Sequence, residues 1–141
     1  MREILFRGKT YNGEWLQGLF IKDFECYGQK DKHTYIVTHK HPSGCFGADI
    51  YFEVIPETVG QYTGLTDKNG KRIFEGDIVD VEYDIQYVGV AAERVGLFAV
   101  VFDNGCFMKK KKGGGLFHFI PSDKCNVIGN IHDNPELLKG E

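Results

Sequence analysis

The pattern of apolar and polar positions predicts a protein built mainly of β-strands. Short apolar stretches rich in Phe, Ile, Leu and Val recur between polar or glycine-containing segments. Stretches of this length, without a 3.6-residue period, are typical of strands rather than helices. We expect strands over residues 3–9, 14–21, 34–39, 50–55, 59–64, 72–84, 95–102, 116–120 and 126–131.

The clearest alternation lies in the second half of the segment 72–84. Successive side chains of a strand point to opposite faces, so Val79 and Val81 share one face and Asp80 and Glu82 the other. A Mg²⁺ or Ca²⁺ site would need several carboxylates converging on one point. Carboxylates spread along a strand instead predict a solvated face, made by Glu75, Asp77, Asp80, Glu82 and Asp84.

Residues that favour turns lie between several of these predicted strands, and residues that favour a helix follow the last one. Asn12-Gly13 predicts a type I′ turn and therefore a hairpin between the first two strands. Asp67–Gly70 and Asp103–Gly105 contain the same Asn-Gly pair and predict further turns. Asn134 followed by Pro135 predicts one short C-terminal helix, because Asn is a good cap and Pro suits the first helical position.

Composition narrows the class of protein. The chain has 141 residues and a formal charge of −3, which favours a single domain and disfavours a strongly basic nucleic-acid binder. No stretch approaches the ~18 apolar residues of a membrane span. The start, Met1–Ile4, lacks the apolar region of a signal peptide, so we expect none. We expect a soluble, cytoplasmic protein. Its four cysteines contain no CxxC pair. Because cytosolic proteins seldom keep disulfides, we expect free, buried thiols.

A metal site is the first chemical alternative to consider. Its candidate ligands are Cys26, His33, His39, His41 and Cys45. Zinc accepts mixed Cys and His ligands, but structural zinc sites usually draw them from close pairs, and these spacings match no common pattern. Histidines at the surface or in loops are the favoured interpretation. We therefore expect no metal and no cofactor, with a metal-dependent enzyme as a minor alternative.

The strongest nucleic-acid signal is a run of four lysines, Lys109, Lys110, Lys111 and Lys112. Clustered lysines can neutralise phosphates. The glycines at 113–115 instead favour a flexible, solvated hairpin tip, and the negative net charge also argues against this function. Aromatic residues that could stack on bases are favoured as core residues: Phe6, Trp15, Phe20, Tyr35, Phe52, Phe98 and Phe102.

Several ordered motifs resemble the YopX family, small proteins encoded by phages and prophages of bacteria. They are Phe6–Gly8, Gly13–Trp15 with Gly18, Thr58–Leu65, Asp67–Val79 and Val127–Leu138. The block from Gly60 to Val79 is the most specific part, and the resemblance spans nearly the whole chain.

The resemblance implies a mainly β fold with an SH3-like small barrel in the C-terminal half. We expect one YopX-like unit over 1–141, with an N-terminal β extension over 1–65 and a barrel over 72–139. The resemblance assigns no catalytic residue. Its motif residues also have a physical interpretation as turn and barrel-closing positions: Gly60, Gln61, Tyr62, Gly64, Gly70, Gly76 and Asp77.

The expected function is a non-catalytic β module of phage or prophage origin, because the edges of an open barrel can pair with other chains. It would bind a protein partner or associate with itself in the cytoplasm of a bacterial host. The alternative is a nucleic-acid-binding protein that uses the lysine run together with exposed aromatic residues.

Overall fold

A computed structural model describes residues 3–24, 31–38, 50–82, 96–111, 115–117 and 120–139. The chain forms two compact units, Met1–Tyr62 and Thr63–Glu141. The described residues are mainly in antiparallel strands, as the sequence predicts. In this part of the chain, no helix has the length and apolar character that a membrane crossing requires.

The first unit is an antiparallel sheet whose strands lie in the order β4-β3-β2-β1-β5. Its strands are β1 (Phe6–Lys9), β2 (Trp15–Phe24), β3 (His33–Thr38), β4 (Ile50–Glu53) and the start of β5 (Gly60–Thr66). A bridge between Thr10 and Val54 brings the end of β4 back beside the end of β1. The Ile55 amide also donates to the Lys9 carbonyl at 2.8 Å. The sheet is therefore strongly curled.

The core of the first unit lies inside this curl. Leu16, Ile36 and Val54 are buried there, and partly buried side chains pack against them: Phe6, Phe20, Phe52 and Val59. Gly8 allows the curl to close, because a Cβ at this position would lie 3.0 Å from Val54 Cγ2 and 3.1 Å from Ile36 Cγ1. A side chain at residue 8 would push those two core residues apart.

The second unit contains a five-stranded antiparallel sheet in the order β10-β9-β8-β7-β11. The end of β5 and β6 (Arg72–Phe74) precede it along the chain. Its strands are β7 (Asp77–Val81), β8 (Gly96–Asp103), β9 (Cys106–Lys111), β10 (Leu116–Phe117) and β11 (Cys125–Asn130). The buried core of this unit comprises Ile73, Val79, Val81, Phe98, Val100, Ile120, Cys125 and Val127.

The alternation in β7 is confirmed where the sequence shows it best. Val79 and Val81 are buried, whereas Asp80 is half-buried and Glu82 is exposed. Asp77 does not belong to a solvated face, because it is 1% exposed and accepts a hydrogen bond from the Phe74 amide at 2.7 Å. Asp84 lies outside the described residues.

The hairpin at Asn12-Gly13 is confirmed, but its predicted turn type is wrong. A type I′ turn needs positive φ at both central residues, and only Gly13 has it (φ +92°). The Gly13 amide donates to the Thr10 carbonyl and the Thr10 amide to the Glu14 carbonyl, which defines a three-residue loop. The positive-φ pair occurs instead at Asn104 (φ 51°) and Gly105 (φ 81°).

Two finer predictions are not met. β10 and β11 are the two ends of the second sheet, and no strand pairing closes it into a barrel among the described residues. The short C-terminal helix is wrong, because Pro135–Leu138 forms a single 3-10 turn. Asn134 makes no side-chain cap there. Its Oδ1 accepts a hydrogen bond from the Asn130 amide instead, at 3.3 Å.

Candidate functional site

The most specific part of the motif series contains the Asp67 loop, residues 67–71, which joins β5 to β6. The Gly70 amide donates to the Asp67 carbonyl at 3.0 Å, and the Asp67 amide donates to the Lys71 carbonyl at 2.8 Å. Gly70 has φ +83°, a conformation that glycine adopts at little cost. The Asn-Gly pair therefore sets a tight loop whose first residue faces inward.

The Asp67 carboxylate ties this loop to β11. Its Oδ1 accepts from the amides of Asn69 and Lys71, each at 2.9 Å, and its Oδ2 accepts from the Val127 amide at 2.9 Å. Asp67 is only 5% exposed. Burial alone would raise the pKa of this carboxyl, but the three amide donors outweigh burial and hold the pKa below its usual value.

Other groups of the Asp67 loop also lie along β11. The Lys68 amide donates to the Cys125 carbonyl at 3.1 Å, and Asn69 Nδ2 donates to Asn126 Oδ1 at 2.7 Å. The Lys68 ammonium forms an ion pair with Glu82, and this hydrogen bond raises the pKa of Lys68. The loop thus covers the outer edge of β11 with both backbone and side-chain groups.

Cys125 lies under this loop as a buried free thiol. Burial first, and then the nearby Asp67 carboxylate, raise the pKa of Cys125 to about 11. The thiolate is the nucleophilic form of cysteine, so this group is a poor nucleophile at neutral pH. Cys125 belongs to the core of the second unit.

The remaining motif positions shape the backbone. In the first unit, Gly60 and Gln61 pair with β1, and the Tyr62 amide donates to the Leu5 carbonyl at 2.7 Å. In the second unit, Gly64 and Gly76 have φ values of +87° and +93°. Gly60, Gln61, Tyr62 and Gly64 thus lie in strand β5, and Gly76 precedes β7. The role of the motif residues as turn and barrel-closing positions stays a prediction.

The first unit carries an apolar row on the outer face of its sheet, which we name the outer row. It consists of Leu19, Val37 and Tyr51, which are directly opposite one another on β2, β3 and β4. Cross-strand partners point to the same face of a sheet. Leu19 is 53% exposed and Tyr51 is 50% exposed, and Val37 between them is half-buried.

The next row of the same sheet faces the opposite way and shows the contrast. Phe20, Ile36 and Phe52 are also directly opposite one another, and they lie in or against the core. At these two rows, both faces of the three strands are therefore apolar. The sequence does not reveal the outer row, because β2 is apolar on both faces and its pattern does not indicate which face is exposed.

Aromatic and polar groups continue the outer face beyond the row. The rings of Tyr35 and Tyr51 meet edge to face with centroids 6.5 Å apart. His33 Nδ1 lies 2.7 Å from Glu53 Oε2 at the end of the same face. On the other side, a shallow groove lined by Ile4, Leu5, Gln17, Gly18, Leu19, Val37 and Thr38 extends the apolar surface.

The predicted core aromatic residues divide between two environments. Phe98 and Tyr35 are buried, and Phe6, Phe20 and Phe52 pack against the core of the first unit. Phe102 is 52% exposed at the end of β8, where its ring meets that of Phe107 edge to face with centroids 5.1 Å apart. The core prediction is therefore wrong for Phe102.

The lysine run is a strand over most of its length rather than the predicted hairpin tip. Lys109, Lys110 and Lys111 belong to β9, and Lys112 lies outside the described residues. Lys109 is 0% exposed, and its Nζ lies 5.1 Å from the Phe98 ring centroid and 6.0 Å from that of Phe117. Lys110 points to solvent and Lys111 is half-buried. Strand alternation thus separates the lysines.

The zinc candidates Cys26, His39, His41 and Cys45 lie outside the described residues. His33 is described and pairs with Glu53. Across residues 3–24, 31–38, 50–82 and the later described ranges, no group of three or more His, Cys, Asp or Glu side chains could hold a metal ion.

Comparisons with known proteins agree with the motif resemblance. The chain is similar in fold to protein EF1440 from Enterococcus faecalis, a crystal structure, with a TM-score of 0.53 and 24% sequence identity. That similarity covers 98% of this chain and 99% of the other. No curated protein sequence matches the chain. The family model for YopX protein matches residues 6–139, so the chain belongs to the YopX family.

Proposed function

We propose that the protein is a non-catalytic binding module whose outer row contacts a protein partner. The observation that carries this proposal is the exposure of Leu19 and Tyr51 in a row where three adjacent strands each place an apolar or aromatic side chain on the same face. An exposed apolar surface costs free energy in water, and contiguous surfaces of this kind mark sites of interaction.

The chemistry of the outer row favours a protein partner with an apolar patch of its own. Tyrosine is enriched at protein interfaces, because its ring buries a large area while its hydroxyl group keeps a polar contact. The edge-to-face contact with Tyr35 holds the Tyr51 ring and reduces the side-chain entropy lost on binding. Polar groups around an apolar centre, such as the pair His33–Glu53, are typical of an interface rim.

We further propose that the second unit is an open relative of an SH3-like barrel. Four strands follow one another as a meander, and β11 then returns beside the first of them. Pairing of β10 with β11 would close such a sheet into a small barrel. The module would act in the cytoplasm of a bacterial host, where a phage or prophage encodes it.

The proposal is tested by capture of partners from lysates of phage-infected bacteria. The double variant Leu19→Lys/Tyr51→Lys places two charges in the outer row and should abolish capture of any specific partner. Phe102→Lys is the matched control, since Phe102 is equally exposed in the second unit, and this variant should retain the partner. Equal capture by the double variant and the control would refute the role of the outer row.

The same experiment separates this proposal from nucleic-acid binding through the lysine run. A partner held by the outer row should persist after nuclease treatment and at high salt, because apolar contacts are not screened. Binding through Lys110 and Lys111 should fall steeply with salt, and their replacement by alanine should weaken it further. Retention of RNA or DNA, lost only in the lysine variants, would favour the alternative.

A further inference from the structure

β11 is the terminal strand of the five-stranded sheet. One side of it pairs with β7, from Cys125↔Val81 to Asn130↔Asp77. The backbone groups on the other side of such a strand form a ready template for another chain. A strand at this position therefore needs protection if the protein is not to pair with itself.

The Asp67 loop occupies two outward backbone groups of β11 that a neighbouring strand would use. The Val127 amide donates to Asp67 Oδ2, and the Cys125 carbonyl accepts from the Lys68 amide. The Asp67 carboxylate thus takes the place that a carbonyl of a neighbouring strand would have. The Lys68 amide takes the place of an amide of that strand. The side-chain bond from Asn69 to Asn126 lies between these two contacts along the strand.

We propose that the Asp67 loop is an edge guard, which prevents β11 from pairing with β11 of a second copy of this chain. The inference concerns the second unit alone and does not rest on the outer row. This proposal gives the motif block Gly60–Val79 a structural role, because both Asp67 and Gly70 are needed for the loop to cover β11. Gly70 shapes the loop, and Asp67 fixes it on the edge.

When the Asp67 loop no longer covers β11, the geometry identifies β11 of a second copy of this chain as the strand that pairs with the exposed edge. Two identical edge strands pair antiparallel about a two-fold axis, as in an isologous dimer. With that axis at Asn126, Cys125 of one copy faces Val127 of the other. The guarded groups are then the ones that pair, a carbonyl at Cys125 with an amide at Val127. The two-fold pairing satisfies both of these groups at once.

The test is the molar mass of Asp67→Ala and Asp67→Asn by light scattering over a range of concentration. We expect a twofold higher mass than for the wild type, rising with concentration. Thr10→Ala is the matched control, because Thr10 is the first residue of the corresponding loop in the first unit. Adding Asn126→Lys should restore the wild-type mass, since it places like charges opposite each other at the axis.

Folded Asp67 variants that keep the wild-type mass would overturn the proposal. If neither variant folds, hydrogen exchange of the wild-type protein decides the question. A guarded edge predicts that the Val127 amide exchanges slowly although its strand is the last of the sheet. Exchange of that amide as fast as a solvent-exposed one would also overturn the proposal.

Discussion

Two hairpin loops, one in each unit, share a backbone hydrogen-bond pattern but differ in how far along the chain their first side chain makes contacts. Thr10–Glu14 and Asp67–Lys71 each have Asn-Gly at the third and fourth positions, and each is closed by the same two backbone hydrogen bonds. Thr10 and Asp67 are both nearly buried, with 8% and 5% exposure. The loops differ in what the first side chain contacts.

Among the described residues, the Thr10 hydroxyl bonds within its own loop, where it accepts from the Glu14 amide at 3.0 Å and donates to Asn12 Oδ1. The Asp67 carboxylate has a second oxygen. While Oδ1 serves the loop, Oδ2 reaches the Val127 amide on another strand, 60 residues away. One additional acceptor atom thus converts a local turn into a long-range tie between strands.

The largest expected effect is that of Asp67→Ala. It leaves three amides without their acceptor, and the buried Val127 amide has no ready access to water. We expect a loss of about 3 kcal/mol in the free energy of unfolding, measured by chemical denaturation. Thr10→Ala should cost only about 1 kcal/mol, because its bonds are local. Equal losses would contradict the difference between the loops.

Asp67→Thr sharpens the comparison by placing the Thr10 arrangement in the second loop. A threonine hydroxyl can accept from one loop amide but is too short to also reach Val127. We expect a loss of about 2 kcal/mol, between those of the two alanine variants. Slow exchange of the loop amides together with fast exchange of the Val127 amide would identify the lost tie. Unchanged exchange at Val127 would show that Oδ2 is not its acceptor.

The loops should respond equally when the change concerns only the shared backbone. Gly13 and Gly70 have φ values of +92° and +83°, and a Cβ at either position would meet nothing within 4 Å. Gly13→Ala and Gly70→Ala should each cost about 1 kcal/mol through the left-handed conformation alone. Thermal unfolding of both variants provides the measurement. A much larger loss at one position would mean that the turns are not equivalent.

Acid provides the mildest test. The pKa of Asp67 is lower in the folded protein than its ordinary value of 3.8, so its carboxylate contributes stability above that value. The contribution should be lost as pH falls below 3.8 through the folded pKa. The stability difference between wild type and Asp67→Asn should therefore shrink in this range, whereas that for Thr10→Ala should not change. An unchanged difference for Asp67→Asn would contradict the lowered pKa.

Local features of the fold could be read from the sequence, because they depend on neighbouring residues. The hairpin at Asn12-Gly13 and the alternation of Val79, Asp80 and Val81 are examples. The turn type at Asn12-Gly13 could not be read, since the same dipeptide forms two kinds of loop here. The C-terminal helix failed because Asn134 bonds to Asn130 rather than capping a first turn.

The candidate surfaces could be predicted less well, because they depend on contacts between distant residues. An aspartate before Asn-Gly indicates a turn, and nothing local indicates that its second oxygen meets Val127. The outer row was hidden because Leu19 and Phe20 are both apolar, and only the curl of the sheet determines which one faces the core. The motif resemblance located the important block, Gly60–Val79, without giving its physical role.

The burial of Lys109 divides an apparently uniform basic segment into chemically distinct amines. Lys110 lies in solvent, while the Lys109 ammonium faces the rings of Phe98 and Phe117 inside the second unit. An acylating reagent should therefore modify Lys110 well before Lys109. The reactivity of each amine reports its exposure to solvent. It therefore indicates, better than the number of lysines does, how much positive charge β9 presents to an approaching molecule.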